Sequence, residues 1–326
     1  PEKGWRLLRA LSGKRPKQAP NQPIKFGDKK FSKPEAIAAR FYRQYTSVSS
    51  HKASPRSRKV KRRLKNKHRL DTSFTPFTLE LTKAAILRSS NSTALGPDGL
   101  TSLHLKHLGP RAISYMTKIF NLSIAHANIP AIWKRANIVP IPKPGKAADS
   151  SMGYRPISLL SPVIKILERL LLPYLTESFP SAPTQHGYRP FRSTITALLP
   201  VATKISIGFN EAKPASRTGM VSIDIAKAFD SIDHDLLLEK VAGTNLHSNI
   251  VRWLATYLRG RTAVCIWQGV VSKPRRCHSG VPQGSVISPQ LFNFFVHDFP
   301  GHAQLVESYA DDFALLESSP DLDELG

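Results

Sequence analysis

The sequence predicts an α+β fold in which helices pack beside an antiparallel sheet. Short apolar or alternating runs such as Val221–Ile225 have the period of strands, and stretches such as 162–178 have apolar residues at helical spacing. A hydrophobic content of 41% is enough for a buried core. The length of 326 residues suits two or three compact units.

Charge is distributed unevenly along the chain. Residues 1–70 hold 22 Lys and Arg against 3 Asp and Glu, out of a net charge of +24 for the whole chain. A basic arm on a nearly balanced body predicts a polyanionic partner, and a solvated tail is the alternative. No apolar run reaches the roughly 18 residues of a membrane span, and we see no secretory leader. Cys265 and Cys277 lack C-x-x-C spacing, so we expect free thiols in a reducing compartment.

The first quarter of the chain predicts a linker followed by helices. Residues 1–33 are basic and interrupted by prolines, which favours a linker. Proline at a first helical position predicts a short helix over 34–43. The basic run in 51–70 could contact phosphates, act as a nuclear-import signal or be a flexible spacer. A further helix is expected over 78–88, with one buried stripe formed by Leu81, Ala84 and Ala85.

The middle of the chain predicts a hairpin between helices. A helix over 110–127 precedes a strand over 135–143, which Pro140 and Pro142 should confine to a sheet edge. The segment 152–160 returns the hairpin. Two helices follow, and they are expected over 161–178, with Ile164, Leu167, Leu171 and Leu175 as core, and over 193–209.

The last third of the chain predicts strands that carry acidic residues. A strand ending at Asp224 precedes a helix from Asp233 and another over 246–258. A hairpin is expected about Gln268–Gly269. The loop 280–289 then leads into a helix that ends near residue 298.

Asp311 and Asp312 stand between apolar residues that favour strands, so their natural place is a tight hairpin turn. A solvated Asp–Asp turn is the ordinary interpretation. Asp224 at the end of its own strand changes this, because pairing of the two segments would place Asp224 and Asp311 at one cleft. Carboxylates in that arrangement can hold two Mg²⁺ ions about 3.5–4 Å apart for phosphoryl transfer.

Three motifs in order resemble those of reverse transcriptases. They are Tyr309-Ala310-Asp311-Asp312, the segment from Asp224 to Phe229-Asp230, and the G-x-P-Q-G segment within 279–289. The loop 94–99 and the segment 185–194 are also similar to the family, and the context most resembles non-LTR (LINE-type) retrotransposons. The resemblance implies a right-hand polymerase with fingers and palm, and with the thumb missing. The implied domains are a basic extension over 1–74, fingers and part of the palm over 75–218, and the palm over 219–326.

The resemblance also implies roles for individual residues. Asp224, Asp311 and Asp312 would be catalytic and, with the backbone of Ile225, would ligate two Mg²⁺ ions, for which Mn²⁺ could substitute. The implied nucleotide-binding residues are Lys143, Arg155, Ile225, Phe229, Gln283 and Gly284, with Phe229 excluding a ribose 2′-hydroxyl. The implied template- and primer-binding residues are Gly187, Tyr188, Arg189, Arg192 and Tyr309.

The implied activity is RNA-directed DNA synthesis from an RNA template, a DNA primer or target, and deoxynucleotides. The chain begins with Pro and ends 14 residues after Asp312, so we expect a piece of a longer polyprotein with its endonuclease elsewhere. Nuclear synthesis with a cytoplasmic ribonucleoprotein stage is expected, without secretion. Two alternatives are a group II intron-type reverse transcriptase or maturase and a catalytically silent nucleic-acid-binding remnant. Gly96 and Gly99 could bring backbone N–H groups to a phosphate or simply form two linked turns.

Overall fold

The computed structural model describes residues 23–46, 55–179, 181–299, 303–321 and 323. The described strands, numbered in chain order, are β1 Ile24–Phe26, β2 Lys29–Phe31, β3 Arg135–Pro142, β4 Tyr154–Leu160, β5 Arg217–Asp224, β6 Arg261–Trp267, β7 Val270–Val271, β8 Arg275–Cys277, β9 Leu305–Tyr309 and β10 Asp312–Ser319. The described helices are α1 Pro34–Thr46, α2 Pro55–Lys67, α3 Leu79–Leu87, α4 Ser102–Lys106, α5 Pro110–Ala125, α6 Pro162–Ser178, α7 Thr194–Asn210, α8 Ala228–Ser231, α9 His234–Val241, α10 Ser248–Leu258 and α11 Ser288–Phe295.

The N-terminal region has more structure than a linker. β1 and β2 form an antiparallel hairpin in which Ile24 pairs with Phe31, and Ile24 is fully buried. The linker prediction for residues 1–33 is therefore wrong over 24–31, while residues 1–22 lie outside the described part. The helix predicted from residue 34 is confirmed as α1, and its apolar residues Ile37, Phe41 and Tyr45 are buried.

β3, β4 and β6 to β8 form one sheet, with the strand order β4-β3-β6-β7 and β8 paired to β6. The predicted hairpin of β3 and β4 is confirmed as antiparallel. The edge prediction for β3 is wrong, because β6 runs parallel to its other side. That pairing covers only Arg135–Ile138, so Pro140 and Pro142 lie beyond it, where a missing N–H costs no bond to β6.

β5, β10 and β9 form a second, fully antiparallel sheet in that order. α7 packs against this sheet. β5 lies at the edge of the sheet that the described strands form, and its Val221 side chain is 61% exposed. Apolar residues on the outer side of α7 are exposed as well, among them Ile195, Leu198 and Leu199.

α6 passes through the main hydrophobic core, and the four core residues predicted for it are completely buried. Glu168 is also buried on this helix. It accepts hydrogen bonds from the Tyr257 hydroxyl at 2.6 Å and the Val286 backbone N–H at 2.7 Å, which tie α6 to α10 and to the loop before α11. Burial raises the pKa of Glu168 and outweighs the hydrogen bonds and the nearby Arg261.

The stripe predicted on α3 is wrong at Leu81, which is half exposed, whereas Thr82, Ala85 and Ile86 are buried. The hairpin predicted about Gln268–Gly269 is confirmed, with positive φ angles of 47° and 83° at the two turn residues. Among the described residues, no helix is long and apolar enough to cross a membrane.

Candidate active site at a paired-strand turn

The turn between β9 and β10 consists of Ala310 and Asp311. Tyr309 pairs directly with Asp312, which leaves two residues for the connection. Ala310 has a φ angle of +58°, a left-handed conformation that non-glycine residues adopt uncommonly. The predicted hairpin is confirmed, but only Asp311 lies in its turn, because Asp312 is already the first residue of β10.

The pairing of β5 with β10 brings the third acidic residue to this turn. Asp224 is the last residue of β5 and lies opposite Asp312 in the antiparallel register. Directly opposed residues project to the same face of a sheet. The backbone N–H of Ile225 donates to the Asp311 carbonyl oxygen at 3.3 Å. The structure therefore brings Asp224, Asp311 and Asp312 together, with Asp312 rather than Asp311 as the cross-strand partner of Asp224.

The pKa of Asp312 is raised above its ordinary value. Partial desolvation of its carboxylate is the largest cause, and the nearby charges of Asp311 and Asp224 raise the pKa further. Asp224 and Asp312 are exposed, and Asp311 is partly buried. A cation bound beside the three acids would offset the effect of the Asp311 and Asp224 charges on Asp312.

The donors at this turn are carboxylate oxygens, with the backbone oxygen of Ile225 next to Asp224. Oxygen donors suit hard divalent cations. Within the described part of the chain, no three or more His, Cys, Asp or Glu side chains are grouped closely enough to form a metal site by themselves. These residues suit a divalent cation in donor type and in charge. The three acids converge in the structure, but their side chains alone do not form a complete set of ligands.

A buried glutamine supports the turn from behind. The Gln185 side-chain oxygen accepts from the Ala310 N–H at 2.8 Å, and its nitrogen donates to the Ala310 carbonyl at 3.0 Å. The same oxygen accepts from the Gly187 N–H at 2.7 Å. The amide thus satisfies both backbone groups of the residue with the left-handed φ angle.

Gly187 is in close contact with the same turn. A Cβ at this position would lie 2.4 Å from the Ala310 nitrogen, so a side chain cannot be accommodated without movement. Beside it, the ring of His186 contacts the Glu307 carboxylate on β9 and the Thr196 hydroxyl at the start of α7, each at 2.8 Å. These contacts fix the segment 185–187 between the β9–β10 hairpin and α7.

Phe229 lies in a row of aromatic rings next to the acidic turn. The Tyr188 ring meets it edge to face with centroids 5.8 Å apart, and Phe292 stacks on it at 5.0 Å. Burial raises the pKa of Tyr188, and the charge of Asp311 raises it further. Phe229 is half-buried, so its ring packs against neighbouring rings while part of the side chain stays exposed.

The G-x-P-Q-G segment packs between α8 and β4. The Val281 N–H donates to the Phe229 carbonyl at 2.8 Å, and the Ser158 N–H on β4 donates to the Gln283 carbonyl at 2.9 Å. Gly284 has a φ angle of +127°, and a Cβ there would lie 2.6 Å from the Ser158 carbonyl oxygen. The close approach that Gly284 permits is therefore to the β4 backbone.

The basic residues predicted to bind a triphosphate lie at one end of the β3–β4 hairpin. Ile141 pairs with Arg155, and the Lys143 N–H donates to the Gly153 carbonyl at 2.7 Å. The Arg155 side chain is exposed and that of Lys143 is partly exposed. Both are free to meet an anion, although neither belongs to the acidic turn.

The residues predicted to bind template or primer differ in their surroundings. Tyr188, Arg192 and Tyr309 are exposed. The Arg189 Nη1 instead donates to the carbonyl oxygens of Ala182 and Gln185 at 2.8 and 3.0 Å, which braces the loop.

The loop from Gly96 to Gly99 uses its own backbone donors. The Gly96 N–H donates to the Leu100 carbonyl, and the Gly99 N–H donates to the Gly96 carbonyl. This arrangement favours the two linked turns over the phosphate contact.

Asp230 is an unusual acid beside the site. Burial raises its pKa to about 6, against a smaller opposite effect of Lys227. It lines a small cavity together with Tyr45, Arg261 and Gln283. Both terminal nitrogens of the buried Arg261 lack a hydrogen-bond partner among the described residues.

Sequence reasoning did not assign Gln185, His186, Glu307 or Glu168. The role of each depends on a partner far along the chain. The one available signal for Gln185 was its place two residues before Gly187, in the segment that resembles the family.

The sequence matches the family model described as "Reverse transcriptase (RNA-dependent DNA polymerase)" over residues 141–323. The chain is 35% identical over 237 residues to "Probable RNA-directed DNA polymerase from transposon BS" of Drosophila melanogaster. That alignment covers 69% of this chain and 26% of that protein. It is 31% identical over 259 residues to "RNA-directed DNA polymerase from mobile element jockey" of Drosophila funebris, covering 75% and 28%. It is 25% identical over 262 residues to "Retrovirus-related Pol polyprotein from type-1 retrotransposable element R2" of Popillia japonica, covering 76% and 35%. The matched region therefore spans about a quarter to a third of these relatives.

Gln185→Leu should lower the free energy of unfolding by about 3 kcal/mol or more, because it leaves buried backbone groups of Ala310 and Gly187 unsatisfied at roughly 1–3 kcal/mol each. Urea denaturation measures this loss. Gln290→Leu is the matched control, since it removes a single hydrogen bond to the Phe179 carbonyl. Equal losses in the two variants would show that Gln185 does not support the turn.

Asp230→Asn should change how stability depends on pH. The folded-state pKa of about 6 exceeds the usual 3.8, so the wild-type protein loses stability as pH rises from about 4 through 6 and changes little above that. The loss attributable to this group is at most about 3 kcal/mol. The variant should lack this loss, whereas Asp28→Asn at an exposed position should retain it. Parallel stability curves for wild type and Asp230→Asn between pH 4 and 8 would contradict the prediction.

Proposed function

The chain belongs to the reverse transcriptase (RNA-dependent DNA polymerase) family, and on this basis we propose that it adds deoxynucleotides to a primer 3′ end on an RNA template. The observation that carries the proposal is the antiparallel register that sets Asp224 opposite Asp312, one residue from Asp311. Acidic residues from distant parts of the chain meet at one exposed turn, as phosphoryl transfer assisted by cations requires.

Asp224, Asp311 and Asp312, with the backbone oxygen of Ile225, would hold the divalent cations, which we propose to be two Mg²⁺ ions that Mn²⁺ can replace. Such ions, when bound, activate the attacking 3′-hydroxyl and neutralise charge on the leaving pyrophosphate. The fold contributes by holding these acids in position. Gln185 fixes the backbone of Ala310, and the β5–β10 pairing fixes Asp224 relative to that turn.

Nucleotide binding is assigned to both sheets. Lys143 and Arg155 at the hairpin end would contact the triphosphate, Arg as a fork and Lys as a point charge. Gln283 would contact the incoming nucleotide from the loop that β4 holds in place. The Phe229 ring, which Tyr188 and Phe292 keep in orientation, would exclude a ribose 2′-hydroxyl.

Template and primer would pass over Tyr188, Arg192 and Tyr309, whose side chains are exposed. Aromatic rings suit stacking with bases, and an arginine suits the backbone. Gly187 and Arg189 would act through the fold of this loop, since their contacts are to Ala310 and to loop carbonyls.

We assign the chain to a non-LTR retrotransposon. The names of the relatives support this origin, because they describe RNA-directed DNA polymerases from transposons and mobile elements. The same names favour it over the group II intron alternative. A silent nucleic-acid-binding remnant is separated from an active enzyme by the first experiment below.

Primer extension on poly(rA) with oligo(dT) and Mg²⁺ tests the proposal. Asp224→Asn and Asp311→Asn should each lower the extension rate by about 100-fold or more, because each removes several kcal/mol of charge stabilisation. Asp312→Asn should also lower it. Asp28→Asn, at an exposed position on the β1–β2 hairpin, is the matched control and should extend at the wild-type rate.

RNA binding should persist in all of these variants, which separates a lost reaction from a lost fold. Wild-type extension that Asp224→Asn and Asp311→Asn leave intact would overturn the assignment. An inactive wild-type chain that still binds RNA would support the remnant instead.

Phe229→Ala should raise incorporation of ribonucleotides relative to deoxynucleotides by about 10-fold or more, the usual scale of a steric contact worth 1–3 kcal/mol. Tyr188→Ala should shift the ratio in the same direction but less, because Phe292 still stacks on Phe229. Tyr188→Phe preserves the ring contact and is the control. Single-nucleotide insertion kinetics give the ratio, and unchanged sugar discrimination in Phe229→Ala would remove its assigned role.

A further inference from the structure

α2 presents a continuous basic surface, which we call the α2 basic face. Its members are the exposed cations of that helix, namely Arg58, Lys59, Lys61, Arg62, Arg63, Lys65 and Lys67. The sequence of Pro55–Lys67 contains no acidic residue. Among the residues that the structure describes, none of these cations forms an ion pair. The face therefore carries seven positive charges that no acidic side chain of the described residues pairs.

The helix is attached to the body of the protein. Val60 and Leu64 are 1% and 3% exposed, and they pack in the main core. The Lys67 Nζ donates to the Ala242 carbonyl at 3.0 Å just after α9, and an Arg252 nitrogen on α10 donates to the His68 carbonyl at 3.3 Å. The flexible-spacer interpretation of this segment is therefore wrong, because its helix is docked on α9 and α10.

The charge pattern of α2 opposes helix stability. Arg58, Lys61, Arg62 and Lys65 are spaced three or four residues apart, so like charges are neighbours on one side of the helix, and each such pair is destabilising. The first turn contains no acid to complement the helix dipole. A polyanion lying along this face would offset both effects.

We propose that the α2 basic face binds the backbone of a nucleic acid, independently of sequence, outside the cleft formed by Asp224, Asp311 and Asp312. The helix has no aromatic residue for base stacking, so the contacts would be to phosphates. Its two apolar residues, Val60 and Leu64, face inward, which leaves nothing to insert into a membrane. The proposal takes from the proposed function only that RNA and DNA are available as partners.

The salt dependence of RNA affinity tests this directly. A fourfold variant, Arg58→Gln, Lys61→Gln, Arg62→Gln and Lys65→Gln, removes four cations that point away from the core. Each lost phosphate contact lowers the slope of log affinity against log salt by about 0.7 for single strands and 0.9 for duplexes, so the slope should fall by roughly 3. Affinity at 0.1 M salt should fall on the order of 100-fold or more.

The matched control changes net charge equally at another surface. Lys83→Gln, Arg88→Gln, Arg111→Gln and Lys118→Gln replace four exposed cations on and beside α3 and α5. Fluorescence anisotropy with a labelled mixed-sequence RNA annealed to a DNA primer, from 50 to 200 mM salt, should show the full slope for the control. Thermal unfolding of both variants should match the wild type.

If both fourfold variants lose the same amount of salt slope, the effect comes from net charge alone and the proposal is overturned. It is also overturned if neither variant loses slope. Poly-glutamate that competes with RNA as strongly as an unlabelled RNA of equal charge would point to an acidic protein partner and would also overturn it. Primer extension at saturating template should be unchanged in the α2 variant. An inactive wild type with the slope loss intact would overturn the polymerase assignment and leave the α2 basic face standing.

Discussion

The antiparallel pairing of β5 with β10 is the constraint on which the candidate site depends. Eight consecutive residue pairs, from Asp312 with Asp224 to Ser319 with Arg217, hold the two strands in one register. A slip of one residue would move Asp224 to the opposite face of the sheet, away from Asp312. Segments about ninety residues apart thus meet through backbone geometry, and the acidic side chains follow from it.

Close backbone contacts hold the loops around the site against their neighbours. Gly187 touches Ala310, Gly280 touches Asp230 and Gly284 touches Ser158, each at a distance that leaves no room for a side chain. Gln185 then satisfies both polar backbone groups of Ala310. A side chain added at Gly187 would therefore displace the backbone of the acidic turn while leaving its acids unchanged.

Local pattern was sufficient for much of the fold. The apolar spacing of α6 predicted its core residues, and the pair Gln268–Gly269 predicted a hairpin turn. Both features depend on residues that are close in sequence. Side-chain direction in β5 and α3 could not be obtained in this way. Val221 and Leu81 are apolar yet exposed, since which face of an element is covered depends on the other elements around it.

The motif residues predicted the location of the site, whereas its support was invisible in sequence. Asp224, Asp311 and Asp312 are recognisable as a set only when three motifs are seen in order. Gln185 and Glu168 have partners 125 and 118 positions away, and no local signal specifies such contacts. The basic run was ambiguous for the same reason, because the burial of Val60 and Leu64 depends on α9 and α10.

The position of β5 at the border of its sheet has a practical consequence. Among the described strands β5 is paired on one side only, with β10, and its Met220 and Val221 side chains are exposed. Such a border is a template for strand addition between molecules. Concentrated samples of the isolated chain should therefore self-associate through β5, and a lysine in place of Val221 is the simplest way to keep them monodisperse.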